Sequence, residues 1–342
     1  MTVTRNTIAI NQVEQILQGA RRQGRDIEAI LHRSGISPVL LDSPLSRVSQ
    51  AQYTTLMRIL TRVTRDELWG LCATPVKIGS FAQVCRMLVH CRNLGEALRT
   101  GFAFYHLVLN DFVARLHIEH DIAHVALQRK VEGSASVRYA ERTFLFLSFG
   151  LSSWLVGRRV PLLGVELDEL DRHLSTEADR LFQAPLNYRP SQAGFRFEAR
   201  WLDLPVVQSV QSMQEFLRQA PASLTVKYRD QANITERIRR LLRRHLAGEM
   251  PSLEEVGKSL AMTPQTLRRR LHEEGQGYQA IKDDLRRDAA IEYLARSDLS
   301  LNEIAAMLGF SESSTFHRAF KKWTGVAPGE YRHTRLQQNR AS

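Results

Sequence analysis

The sequence predicts two structural classes in one chain. An α+β domain, helices packed on a small sheet, is followed by an all-α domain of two helix-turn-helix units joined by a linker helix. Three observations support this. A segment that begins at Ser252 is repeated from Ser300. Helical spacing gives way to alternation after Asn110-Asp111. A length of 342 residues with 43% hydrophobic content suits about two domains, each with a real core.

The repeat is the strongest signal. SLEEVGKSLAMTPQTLRRRL starts at Ser252 and SLNEIAAMLGFSESSTFHRAF at Ser300. Both open with S-x-x-E, a capping box in which Ser meets the N3 amide and Glu reaches back to the cap amide. Leu253, Val256 and Leu260 give the first copy a short apolar helix; Leu301, Ile304 and Leu308 do so in the second. Each copy then restarts a helix. Thr263-Pro264 supplies a hydroxyl cap and a Pro at N1, and Ser311 is the expected equivalent cap. Leu267 with Leu271, and Phe316 with Phe320, place one apolar stripe inward. Helix, tight turn and capped second helix describe a helix-turn-helix.

Between the copies, Tyr278 to Ser297 reads as one helix with Tyr278, Ile281, Leu285, Ala289 and Tyr293 on its buried stripe. At ~1.5 Å per residue it separates the units by roughly 30 Å, close to the ~34 Å turn of B-DNA. A preceding helix, with Asn233 and Glu236 in capping positions, is expected to bury Ile234, Ile238, Leu241 and His245.

The stretch that begins RRDAAIEYLARS, runs through IAAMLGF and FHRAFKK, and ends GVAPGEYR resembles the signature of the AraC/XylS family of bacterial transcription regulators. It covers about the last hundred residues. The resemblance implies that the second helix of each unit lies in the major groove of double-stranded promoter DNA. Carried over residue by residue, Gln265, Thr266, Arg268 and Arg269 face bases from the first unit. Ser313, Ser314, Thr315, His317 and Arg318 do so from the second. Arg suits guanine and Gln suits adenine, whereas hydroxyls discriminate less, so the first helix is expected to dominate specificity. Thr263, Ser311, Lys321, Lys322 and Arg287 are placed for phosphates; for Arg287 an intramolecular salt bridge is an equal alternative. RNA polymerase is a partner that the family implies.

The front of the chain reads as helices over 13–24, 27–35, 50–64, 81–90 and 94–108. A hairpin follows in FVARLHIEHDIAHVALQRKVEG, then a helix over 137–156 and strands at 162–167 and 194–199. The stretches Leu68 to Tyr105 and Leu181 to Val206 resemble the arabinose-binding-like N-terminal domain of ornithine-utilisation regulators in the same family. That resemblance implies a domain that senses a small molecule, dimerises, or does both. The resulting division is a sensor/dimerisation domain at 1–219, a linker at 220–232, the DNA-binding domain at 233–335 and a tail at 336–342.

Candidate effector residues are His106, Asn110, Arg138, Arg142 and Trp154. An Arg entering an apolar pocket suits a carboxylate effector; on the alternative reading Arg138 and Arg142 lie on a solvated first turn. Alternation brings His117 and His124 together across the hairpin, as a metal site needs, but surface histidines near a turn are far commoner. No metal or cofactor is expected.

The net charge of +11 favours a polyanionic partner, nucleic acid or an anionic membrane surface. The uncharged run Thr143 to Gly157 is too short to span a bilayer, and the start lacks a signal-peptide pattern. Cys72, Cys85 and Cys91 show no metal spacing and suit a reducing cytoplasm. The expectation is a cytoplasmic homodimeric activator, not an enzyme. The alternatives are a DNA-modifying or repair enzyme with a reactive cysteine, for which only His90-Cys91 comes near, and a regulator whose front domain dimerises without a ligand.

Overall fold

The computed structural model describes residues 7–131, 133–174, 182, 184–189, 193–219, 234–246, 248–273, 276–294 and 298–336. Leu181, the linker 220–232, the expected cap Asn233, the expected helix end at Ser297 and the tail from 337 lie outside the described residues. The chain gathers into two compact units, one of 1–13, 31–55 and 230–342 and the other of 14–30 and 56–229.

In chain order the front elements are β1 (Thr7–Ala9), α1 (Ile10–Arg22), α2 (Ile27–Arg33), β2 (Arg47–Ser49), α3 (Gln50–Thr64), α4 (Ser80–Leu88) and α5 (Leu94–Val108). Next come β3 (Phe112–Glu119), β4 (Ile122–Arg129), α6 (Ala135–Leu155), β5 (Gly164–Asp168), β6 (Leu186–Arg189), β7 (Ala193–Glu198) and α7 (Val210–Gln219). Local chemistry sets several of their starts. Asn93 caps α5 by accepting from the Glu96 N–H, and Ser134 caps α6 by accepting from Val137. His120 and Asp121 both take positive φ, 47° and 60°, as a tight two-residue hairpin requires.

The larger unit is built on a five-stranded sheet of order β3-β4-β7-β5-β6, antiparallel except for β5 with β6. Alternation sends Ala123, Val125, Leu127, Phe195 and Phe197 to one buried face. Helix α6 covers it, with Phe149 edge-on to Phe195 at 6.0 Å between centroids. Such a pair contributes about 0.5–1.5 kcal/mol beyond its burial. A second apolar cluster joins α4, α5, α6 and α7, where Trp154 stacks on Phe216 at 4.3 Å. Helix α7 and the short strands β1, β2 and β6 were not expected. VQSMQEFLRQ does carry Val210, Met213, Phe216 and Leu217 at helical spacing, with Met213 and Phe216 buried, a stripe that the sequence expectations passed over. Among the described residues no helix is long and apolar enough to cross a membrane.

The other unit contains the C-terminal helices α8 (Ile234–Arg243), α9 (Leu253–Ser259), α10 (Pro264–Glu273), α11 (Tyr278–Leu294), α12 (Leu301–Met307), α13 (Ser313–Thr324) and α14 (Pro328–Leu336). Residues 7–13 and 31–55 pack with them, and hydrogen bonds give the reason. Thr7 Oγ1 donates to Asp288 at 2.5 Å, and Tyr331 Oη donates to the Arg47 carbonyl at 2.5 Å. The Ser43 and Ser46 hydroxyls both donate to the Thr324 carbonyl, at 2.9 and 3.2 Å. The buried face of α8 is Ile234, Ile238 and Leu242. The expected face is thus one position off: Leu241 is half-buried and His245 exposed.

Both capping boxes form as the S-x-x-E pattern predicts. The Ser252 and Ser300 backbone N–H groups hold the Glu255 and Glu303 carboxyls below the usual carboxylate range. After α9 the chain turns at Ala261 with φ 53°, and after α12 at Gly309 with φ 75°. Beyond these matched turns the copies fall out of step, since Pro264 and Leu267 match Ser313 and Phe316. The second turn is therefore one residue longer. The cap of α13 is Glu312, without a side-chain cap bond, and not Ser311.

Only glycine takes positive φ without penalty, and a non-glycine pays ~1–2 kcal/mol there. Ala261→Gly is therefore expected to raise stability by about 0.5–1 kcal/mol, the unfolded-state entropy of Gly offsetting part of the gain. Gly309→Ala should lower it by more, because a Cβ there would lie 2.5 Å from the Gly248 carbonyl oxygen. Urea unfolding of the two variants measures both signs.

Candidate nucleic-acid interface

Helices α10 and α13 each bury one stripe and present the rest. Leu267 and Leu271 are 0% and 2% exposed, and Phe316 and Phe320 are both 0%. Phe310 packs against Phe316 and Trp323, and Phe320 meets Tyr331 edge-on at 5.5 Å. With the apolar side fixed this firmly, the direction of the polar side is not free.

On α10 the outward residues are Gln265, Arg268 and Arg269, all exposed. Arg268 reaches within 3.9 Å of Glu254, a surface pair worth little. Thr266 is half-buried and its hydroxyl meets Thr263, whose Oγ1 accepts the Thr266 N–H at 3.2 Å. Thr263 is thus the working cap that the sequence predicts, and Thr266 is occupied with it. On α13, Ser313, Ser314, His317 and Arg318 line one open concavity. Thr315 is exposed beside them. In the structural register His317 matches Arg268 and Arg318 matches Arg269.

The phosphate candidates separate. Lys321 and Lys322 are exposed in the last turn of α13. Arg287 is committed within the protein: it pairs with Asp284 at 2.9 Å and Asp288 at 3.2 Å, with its side chain 13% exposed. Arg286 lies over the Phe310 ring at 5.3 Å, and burial lowers its pKa. The partners of Arg287 lie on its own helix, three residues before it and one after, so its salt bridge was legible in the sequence, whereas the contact of Arg286 with Phe310 comes from tertiary structure. Glu312 at the start of α13, accepting from Ser314 at 3.1 Å, is a carboxylate that the sequence reading missed. A negative charge at that helix start opposes a phosphate there.

In the larger unit the five effector candidates are not brought together. His106 and Asn110 are exposed. Arg142 is buried with Asp171 at 2.9 Å and Gln15 at 2.5 Å. Arg138 pairs with Asp171 at 3.6 Å and donates to the Gly133 carbonyl. Neither arginine is solvated, and neither enters an apolar pocket. Trp154 belongs to the apolar cluster. A cavity of about 30 Å³ lies elsewhere, between α4, α5 and α6, lined by Leu88, Gly101, Phe102, Tyr105 and Phe144 among others. Its Ser152 hydroxyl already bonds the Ser148 carbonyl.

The cysteines show no sign of an activated nucleophile. Burial raises the Cys72 thiol and pushes Cys85 up to about 12, and burial also raises Cys91. That is the reverse of what thiolate chemistry needs.

Against known proteins, residues 24–206 match the arabinose-binding domain of AraC transcription regulators, and residues 256–334 match a helix-turn-helix domain. The chain belongs to the AraC family of transcription regulators. The ornithine utilization regulator of Pseudomonas aeruginosa is 26% identical over 97% of this chain and 98% of its own length. The transcriptional regulator VirS of Mycobacterium tuberculosis is 40% identical over 30% of each chain. The solved structure of the regulator CdpR from P. aeruginosa, at 21% identity, covers 94% of this chain and 98% of its own, with a TM-score of 0.32. This AraC-family member is a DNA-binding transcription regulator with a sheet-and-helix N-terminal domain and a helical C-terminal one.

The two caps make a paired test. Thr263→Ala should cost this regulator about 1 kcal/mol, the usual loss of a hydroxyl cap. Ser311→Ala should stay within about 0.5 kcal/mol, as expected of a surface site without such a role. Thermal unfolding of the two variants should show this order.

Proposed function

We propose that this regulator reads promoter DNA chiefly through α10, with α13 serving as an anchor in the next major groove. The observation that carries the reading is the contrast between two helices held by the same scaffold. At matched positions α10 presents Gln265 and Arg268 where α13 presents Ser314 and His317, while Arg269 and Arg318 are alike, and α13 opens with the carboxylate of Glu312. Bidentate Arg and Gln contacts discriminate bases by about 1–3 kcal/mol each, which hydroxyls do not match. Thr315 stands beside the anchor, while Lys321, Lys322 and the Thr263 end of α10 meet phosphates. The 17-residue α11 spans about 26 Å, and side chains at each end extend that reach towards one ~34 Å turn of DNA. In this account the protein acts as a homodimeric activator that touches RNA polymerase, as the family resemblance implies.

Arg268→Ala and Arg269→Ala should each weaken binding to a wild-type-selected site about 10- to 100-fold and relax base preference. Ser314→Ala should cost about fivefold or less, in line with one neutral hydrogen bond. Fluorescence anisotropy on matched and single-mismatch duplexes checks this. Unchanged base preference in both arginine variants would refute the assignment.

A second reading concerns the front domain. One cavity among its described residues, of about 30 Å³, holds little more than a water molecule. The domain either senses a small molecule, such as a carboxylate, or dimerises without one. A metabolite screen by thermal shift decides between them, because a true effector at 100 times its Kd adds about 2.7 kcal/mol of stability. No stabilisation by any amino acid, sugar or carboxylate supports the dimerisation role.

A further inference from the structure

The hairpin β3–β4 places two histidines and a carboxylate where no regulatory role has yet claimed them. Strand register sets His117 directly opposite His124. Their rings stack with centroids 4.7 Å apart and planes 11° from parallel. Glu119 lies two residues beyond His117 and so on the same face. One ligand atom from each of the three falls within 4.8 Å of the others.

This arrangement is held by backbone and not by chance rotamers. The hairpin turns tightly at His120-Asp121, both at positive φ, so the register cannot slip without flipping every side chain to the other face. Strand β4 is clamped on its other side by β7, where Arg196 is the partner of His124. Arg196 would repel a cation, but its charge is drawn off by Glu166, 3.4 Å away on β5. Glu119 Oε1 lies 3.7 Å from His120 Nδ1, the contact that competes for this carboxylate. His117 and Glu119 are exposed and His124 is half-buried, so an ion has access from solvent.

We propose that His117, His124 and Glu119 form a site for a divalent first-row transition metal, with Zn²⁺ the natural occupant class. Two imidazoles and one carboxylate are a familiar zinc donor set, and three protein ligands leave a fourth position for water. Imidazole donors select this class over Mg²⁺ and Ca²⁺, which take oxygen ligands. Binding at ~2.0–2.1 Å per nitrogen needs the side chains to close by small rotations, while the strands stay where they are. The site lies on the sheet face opposite the buried aromatic layer, so occupation does not disturb the core.

The test uses the full-length chain without a polyhistidine tag, stripped with a chelator, and titrated with Zn²⁺ by calorimetry and with Co²⁺ by visible absorption. Expected are one Zn²⁺ per chain and Co²⁺ d–d bands that zinc displaces. His117→Ala and His124→Ala should each weaken Zn²⁺ at least tenfold, and Glu119→Gln should weaken it less. Because the histidines lie on the outer face, circular dichroism of the variants should match the wild type. Mg²⁺ at the same concentrations should give no heat. Absence of stoichiometric Zn²⁺ binding overturns the proposal, and so does unchanged binding in the folded His117→Ala/His124→Ala double variant.

Discussion

The DNA-binding unit depends on one alternating row of charges along α11. Arg239 of α8 pairs with Asp284 at 3.1 Å, Asp284 with Arg287 at 2.9 Å, Arg287 with Asp288 at 3.2 Å, and Asp288 accepts Thr7 at 2.5 Å. The charged side chains are only 11–16% exposed. Removing one member leaves the others short of a partner in a poorly hydrated place, which costs far more than an exposed pair is worth. The apolar side of the same helix buries Ile281, Leu285, Ala289 and Ile291. One helix therefore ties down α8 and β1 while separating α10 and α13.

The N-terminal segment takes part in this unit in a second way. The last carbonyls of a helix lack intrahelical partners, and at the end of α13 the Thr324 carbonyl receives two hydroxyls, from Ser43 and Ser46. Gly325 follows in the left-handed conformation, where a Cβ would clash with Ser43 Oγ. Tyr331 completes the attachment by bonding the Arg47 carbonyl while its ring meets Phe320. The posture of α13 is thus set partly by residues nearly three hundred positions away in the chain.

Much of the fold was legible in the sequence because local chemistry decides it. The two S-x-x-E boxes, the bounds of α3 and α5, the hairpin and the buried nature of α6 all follow from caps, periods and a turn. Three kinds of feature were not legible. Short strands such as β1 and β2 carry too few residues to alternate. The extra residue in the second turn shifts the cap from Ser311 to Glu312 while leaving both flanking patterns intact. The fate of Arg138, Arg142 and Arg286 was hidden for a different reason. An arginine looks the same in sequence whether its partner is DNA, an effector or Asp171, and only tertiary structure supplies the partner.

The proposed mode of binding needs α11 to hold α10 and α13 about one DNA turn apart. It is tested most directly by measuring affinity for a selected site and for the same site with about five base pairs, half a turn, inserted between its two contacted segments. A rigid spacer predicts that the insertion reduces affinity to that of the α10 segment alone, because α13 then faces the wrong side of the duplex. Equal affinity for both sites would contradict a rigid α11 spacer.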